Sequence, residues 1–225
     1  MQIIRSRRKT LALYIQPDGQ VLVRAPLYLP QSAIDAFIRD KSTWIRAKQD
    51  EIRHKNERCG RTGAEGPHRF EPGESFLYLG ETYPLELVER QSQPLLFDQA
   101  YKLKRAAQPQ AQVIFEAWYK SQARALFTRR LDELSAQTSL HYARLRLSSA
   151  RTRWGSCSST GTISLNWRLV MAPPAVIDYV IIHELAHSKE KNHSARYWAL
   201  VERLMPTYRI LRKWLKSNGD CLSWP

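Results

Sequence analysis

One stretch constrains this chain more than any other: Tyr179-Val-Ile-Ile-His183-Glu184-Leu-Ala-His187, with His193 six residues further on. Residues four apart on a helix lie one above the other. A helix here therefore aims the imidazoles of His183 and His187 at one point. Imidazole nitrogen binds zinc well, and a catalytic zinc keeps three protein ligands and one open position. The spacing makes His193 the natural third ligand. Glu184 lies about 100° round the helix from His183, placed to act as general base on a zinc-bound water. The run Val180-Ile181-Ile182 just before the histidines anchors such a helix in a core.

The flanking residues frame that helix. Pro173-Pro174 suits a helical first turn, where an amide has no helical partner. Val176, Tyr179, Val180, His183 and His187 share one face, while Ile177 and Ile181 point further round to the core. The helix is expected to end near Ser188. Asn192 reads as the N-cap of a second helix, about 193–204, with His193 in its first turn. A last helix, about 208–216, closes at Asn218-Gly219. Upstream, residues 110–137 repeat apolar positions at helical spacing. Arg144–Ser148 alternates as a strand, and two more strands flank the turn Ser158–Gly161. Near the start, a β-hairpin turns at Pro17-Asp18-Gly19. The basic residues from Arg5 to Lys9 before it read as a frayed arm. One amphipathic helix with a basic polar face runs from Ser32 to about Asn56. Residues 57–73 read as a linker, a second hairpin turns at Gly80-Glu81, and 95–104 is strand-like. This order of elements predicts an α+β fold with N-terminal β-hairpins and basic helix, a largely antiparallel sheet and a helical C-terminal third.

Charge bears on partners. Thirty-five Lys and Arg against 21 Asp and Glu give +14, which points to an anionic partner, a nucleic acid or a phosphorylated small molecule, or else to a solvated basic surface. No apolar run reaches the ~20 residues needed to span a bilayer, so no membrane contact is expected. Three widely spaced cysteines suggest no disulfide framework and fit a reducing, cytoplasmic setting. Around the zinc site, Tyr179 can donate to a developing oxyanion. Arg151 and Arg153, beside Trp154, can bind a substrate carboxylate or phosphate. Asn166 and Asn192 can orient ligands, and Cys157 reads as a small buried residue rather than a nucleophile.

Taken together, Arg151-Thr-Arg-Trp-Gly-Ser-Cys157, Asn166-Trp-Arg-Leu169, the run from Ala172 to His187 and Asn192-His-Ser194 resemble the YgjP-like metallopeptidase family, a relative of the WLM and SprT-like zinc proteases. The likeness extends over nearly the whole chain and is weakest at about 57–70. It implies a zincin-like fold, with a small antiparallel sheet beside the HExxH helix whose edge strand can hold an extended substrate. It also implies Zn2+ on His183, His187 and His193, with Glu184 as catalytic base. The expected function is a zinc-dependent metallohydrolase, a metallopeptidase acting on polypeptide. Two alternatives stand beside it. One is a nucleoside triphosphate (UTP) hydrolase on the same metal, since some family members are described as acting on UTP. The other is a nucleic-acid-associated protein with a zinc site. Tyr179, Arg153, Trp154 and Asn166 are the expected substrate-binding residues. The chain is expected to divide into an N-terminal β-hairpin and basic-helix region, 1–105, and a metallohydrolase core, 106–225, which the resemblance joins into one integrated domain.

Overall fold

The computed structural model of the chain describes residues 1–16, 19–58 and 68–224, without the side chains of 55–58. The expected turn residues Pro17 and Asp18, Cys59 and most of the expected linker lie outside these. Two compact units are present, Met1–His68 and Arg69–Pro225. Position 105, where the sequence suggested a division, lies within the second. The fold is α+β: three small sheets and six α-helices among the described residues. None of those helices is long and apolar enough to cross a membrane.

In the first unit, β3 (Val21–Pro26) lies between β2 (Ala12–Ile15), antiparallel to it, and β1 (Gln2–Ser6), parallel to it. Of the basic residues expected to fray, Arg5 is thus paired, because β3 offers it a strand edge, while Arg7–Lys9 follow the strand. Arg5 donates from Nη1 to the Leu29 carbonyl at 2.6 Å. Val21, Val23 and Ala25 point alternately inward and meet Ile34 and Ile45, as a pleat with one buried face requires. The expected single helix is two, α1 (Gln31–Asp40) and α2 (Ser42–Arg58). Lys41 steps out of the helical ladder (φ −89°, ψ 5°). Its amide still donates to Phe37 and its carbonyl accepts from Ile45, so the break leaves neither group orphaned.

The second unit opens with β4 (Ser75–Tyr78), β5 (Glu81–Val88), β6 (Leu95–Phe97) and β7 (Tyr101–Lys104), in the order β4-β5-β7-β6. The β4–β5 hairpin turns on Leu79 and Gly80, with φ of 51° and 89°, a two-residue turn of the kind that matches strand twist. This turn is docked. The amides of Leu79 and Gly80 donate to the carbonyls of Val170 and Met171, both at 3.0 Å. A Cβ on Gly80 would lie 2.9 Å from the Pro173 ring. The hairpin thereby fixes the segment that leads into the histidine-bearing helix.

Helix α3 (Ala111–Thr138) buries Ala111, Phe115, Tyr119, Ala123, Phe127, Leu131 and Leu134. All but the last of these are four residues apart. An α-helix turns about 400° in four residues, so the buried stripe advances about 40° at each step and winds round the helix. Its N-terminal half meets an aromatic cluster: Phe115 lies 4.5 Å from Phe76, 5.0 Å from Tyr101 and 5.3 Å from Phe70, ring centre to ring centre. Near its C-terminal end, Arg130 donates from Nε and Nη2 to both carboxylate oxygens of Asp178, each at 2.8 Å. That two-pronged pair ties α3 to α4 (Pro174–Ala186).

Beside α4 lies the sheet of β8 (Arg144–Ser148), β10 (Thr162–Asn166) and β9 (Gly155–Cys157), in that order. It is mixed rather than antiparallel. β10 pairs antiparallel with β9 but parallel with β8, because the chain crosses over between β8 and β9 before the tight turn back. Helices α5 (Ala195–Leu204) and α6 (Tyr208–Asn218) complete the C-terminal third. Cys157 is a free thiol.

Candidate metal centre

Helix α4 starts at Pro174 as the two prolines require, and nine of its 13 residues are buried. A helix apolar on every side is held on every side, so His183 and Glu184 are presented from a fixed support. His187 caps its C-terminus. The chain then turns back through His193, and α5 begins at Ala195 with Ser194 as N-cap, its hydroxyl accepting from the Tyr197 amide at 3.3 Å. Asn192 is therefore not the cap, and His193 stands in the connecting loop rather than in the first helical turn. Asn192 gives the loop its carbonyl, which accepts from Ser194 at 2.7 Å.

One ligating nitrogen of each of His183, His187 and His193 lies within 4.8 Å of the others. The Nε2 atoms of His183 and His193 are 3.1 Å apart. Two nitrogens each about 2.0–2.1 Å from one tetrahedral ion of zinc's size would be about 3.3 Å apart, so the pair fits such an ion closely. The tautomers agree. His187 can donate from Nδ1 to the Glu190 carbonyl at 3.0 Å, which leaves Nε2 with its lone pair free. Neutral imidazoles are favoured too. Burial first, then the neighbouring imidazoles and Arg212, bring the pKa of His183 down to about 3. Burial, then His187 and Arg212, lowers that of His193.

Glu184 is 4% exposed, and burial raises its pKa to about 8, against the opposing pull of Arg153. Its carboxyl lies against β9. A Cβ built on Gly155 would come within 2.4 Å of Glu184 Oε1, so only glycine lets the strand pass this close. Gly155→Ala is expected to displace the carboxyl and cost about 1–3 kcal/mol through overpacking, with metal content retained. Thermal unfolding and metal analysis of the variant check both parts.

The other expected residues fall into two groups. Tyr179 faces the centre, its ring 6.0 Å from that of His183, and burial holds its phenol pKa above the ordinary value, so it stays a donor. Arg153 is exposed and is the charge that acts on Glu184. Trp154 instead packs by its indole against Gly219. Asn166 is buried and occupied. Its Nδ2 donates to the carbonyls of Ala150 at 2.7 Å and Arg153 at 3.4 Å, and its Oδ1 accepts from the Arg168 amide. It fixes the loop that carries Arg153 towards β9. Burial, then Glu184, raises the Cys157 thiol pKa, which disfavours the thiolate that a nucleophile needs. Arg151 is exposed.

Three contributors were not foreseen. Tyr197 donates its hydroxyl to the His183 carbonyl at 2.9 Å and stacks on the His187 ring at 4.6 Å. Trp198 stacks beside His193 at 5.7 Å, and the Arg212 guanidinium lies 4.6 Å over Trp198. In sequence, Tyr197 and Trp198 carried only the signal of an apolar helix face.

The opposed shifts of His183 and Glu184 make a pH prediction for metal-stripped protein. The buried neutral His183 destabilises the fold as pH falls from its unfolded value of 6.5 towards about 3. The raised Glu184 destabilises it as pH rises from 4.5 towards about 8. Between 4.5 and 6.5 the two slopes oppose, and a plateau is expected with a decline on either side. Urea unfolding in the presence of chelator checks this. In Glu184→Gln the decline from about 6.5 to 8 should vanish.

The family described as YgjP-like, metallopeptidase domain, matches residues 9–218. No curated protein matches the chain. Among solved structures, the metallopeptidase zymogen abylysin of Pyrococcus abyssi is similar over 41% of this chain and 95% of its own, at 21% identity and a TM-score of 0.38. Jannalysin, the metallopeptidase zymogen of Methanocaldococcus jannaschii, is similar over 42% of this chain and 95% of its own, at 20% identity and a TM-score of 0.36.

Proposed function

The chain belongs to the YgjP-like metallopeptidase family, and on that premise we propose that it is a zinc-dependent metallopeptidase of zincin-like architecture, with His183, His187 and His193 as ligands and Glu184 as general base. The observation that carries this reading is the convergence of three imidazole nitrogens within 4.8 Å of one another, with a buried carboxyl beside the first of them. Three nitrogen donors of this kind suit zinc. When bound, the ion supplies Lewis acidity, lowers the pKa of a coordinated water and by its charge favours the carboxylate form of Glu184.

The protein's own residues do the rest. Glu184 accepts the proton of the attacking water and hands it to the leaving amine. The buried Tyr179 hydroxyl donates to the oxygen on which negative charge develops. Tyr197 holds the His183 backbone, and Glu190 holds the His187 ring. Among the described residues, β9 has a strand on one edge only, β10. An extended polypeptide can add to the other edge, passing Gly155 where Glu184 lies. Arg153 then stands at the rim for a substrate carboxylate.

The test is parallel incubation of zinc-loaded protein with a denatured polypeptide and with nucleoside triphosphates. Chelator-sensitive cleavage of the polypeptide is expected. Release of phosphate or pyrophosphate without peptide cleavage would transfer the reading to nucleotide hydrolysis, for which the positive charge of the chain is the present support.

A further inference from the structure

A second pocket lies on α3 and the segments after β8 and β10, and shares no residue with the metal centre. It is an open depression of about 480 Å³ lined by Lys120, Ser121, Arg124, Leu147, Ser149 and Trp167. That volume is in the range of small-molecule sites, about 300–1,000 Å³. No carboxylate is among the lining residues, so the polar groups that can reach a ligand are two cations and two hydroxyls.

The donors are prepared. The indole Nε1 of Trp167 donates to Ser149 Oγ at 3.1 Å. That hydroxyl oxygen is thereby used as an acceptor, and its own proton is left to donate elsewhere. Trp167 is 1% exposed and forms a rigid floor. Two cations sit over its ring, Arg168 at 4.6 Å and Lys120 at 5.8 Å, so positive charge is concentrated at the pocket as well as on its wall. Lys120 and Arg124 are one helical turn apart on α3, on the same side. Glu116 bonds the Lys120 ammonium at 2.6 Å from the previous turn. This fixes that side chain and leaves two further N–H donors on it. Arg124 is exposed, and its guanidinium has a planar fork that matches phosphate oxygens.

We propose that this pocket binds a phosphoryl group, held by Lys120, Arg124 and the hydroxyls of Ser121 and Ser149, as part of a nucleic-acid backbone or of a small phosphorylated ligand. The two sources present the same chemistry at the pocket and differ in what lies outside it. A strand would continue across neighbouring basic surface, and its binding would weaken steeply with salt. A small ligand would be held by the pocket alone.

The experiment measures binding of inorganic phosphate by calorimetry and of a labelled single-stranded oligonucleotide by anisotropy. Three full-length proteins are compared: wild type, Lys120→Ala/Arg124→Ala, and Arg203→Ala/Lys213→Ala, which removes the same charge from α5 and α6. Circular dichroism verifies that each is folded. The expected result is at least a tenfold loss in the pocket variant and less than twofold in the control, with the ligand affected identifying the source. If the oligonucleotide is the ligand, the salt slope should also fall by about two contacts. The proposal is overturned if wild type binds neither ligand, or if both variants lose affinity equally. Neither result bears on peptide hydrolysis, which uses other residues.

Discussion

Glu184→Gln is expected to lower polypeptide hydrolysis by about 10²–10⁴-fold, the span of a general acid–base contribution, while metal content stays that of wild type. Glutamine has the shape of the glutamate it replaces but cannot take a proton from water. The carboxyl is not among the three clustered imidazoles, so its loss leaves the ligand set intact. Gly155 leaves no room for a displaced side chain, since a Cβ there would already fall within 2.4 Å of the carboxyl, so the amide should occupy the same place. Metal analysis and hydrolysis rate on the same sample separate the outcomes. Lost activity with lost metal would make Glu184 a structural support of the centre, and unchanged activity would remove it from the chemistry altogether.

Phe115→Ala should give the largest loss of stability from a single core substitution, about 3–5 kcal/mol. The ring is fully buried and lies within 5.3 Å, centre to centre, of Phe70, Phe76 and Tyr101, with Trp224 stacked at 6.1 Å. Rigid aromatic neighbours on several sides cannot collapse into the space left, which is the condition for the upper part of the range. For a unit of this size the midpoint of thermal unfolding should fall on the order of 10 °C. Val113, two residues earlier on the same helix, is 72% exposed. Val113→Ala should change stability by less than about 0.5 kcal/mol. Equal effects at the two positions would mean that α3 does not face the aromatic cluster as described.

What was legible in the sequence was what short-range periodicity and spacing encode. Helices α3, α4 and α6, the second hairpin (expected at Gly80-Glu81 and turning one residue earlier, on Leu79-Gly80) and the gathering of three histidines all follow from residues near one another in the chain. What was missed depends on distant partners. The pairing of β1 with β3 joins a basic, weakly patterned terminus to a strand 20 residues away, and no local rule rewards it. Parallel pairing of β8 with β10 is equally non-local. The helix break at Lys41 is nearly silent, since Ile34 and Ile45 reach the same core on either side of it. At the centre, ligand spacing was readable, but Tyr197, Trp198 and Arg212 touch it only because α5 and α6 fold back. Asn166 drew notice as a polar residue near the site. Its hydrogen-bonding capacity is spent on the loop at 150–153, which only the fold could reveal.

The winding stripe on α3 has a consequence for how the second unit comes apart. A straight stripe would set one side of the helix against one neighbour, and that neighbour could peel away while the rest stayed whole. Here the apolar positions from Ala111 to Leu131 sweep through about 200°. The helix therefore belongs to the aromatic cluster at one end and to the histidine-bearing helix at the other, with Ala123 at the crossing. Opening either end strips apolar surface from the same rod. The unit should thus unravel as one cooperative block, and mechanical or thermal insult at the aromatic end should reach the metal centre through the one core they share.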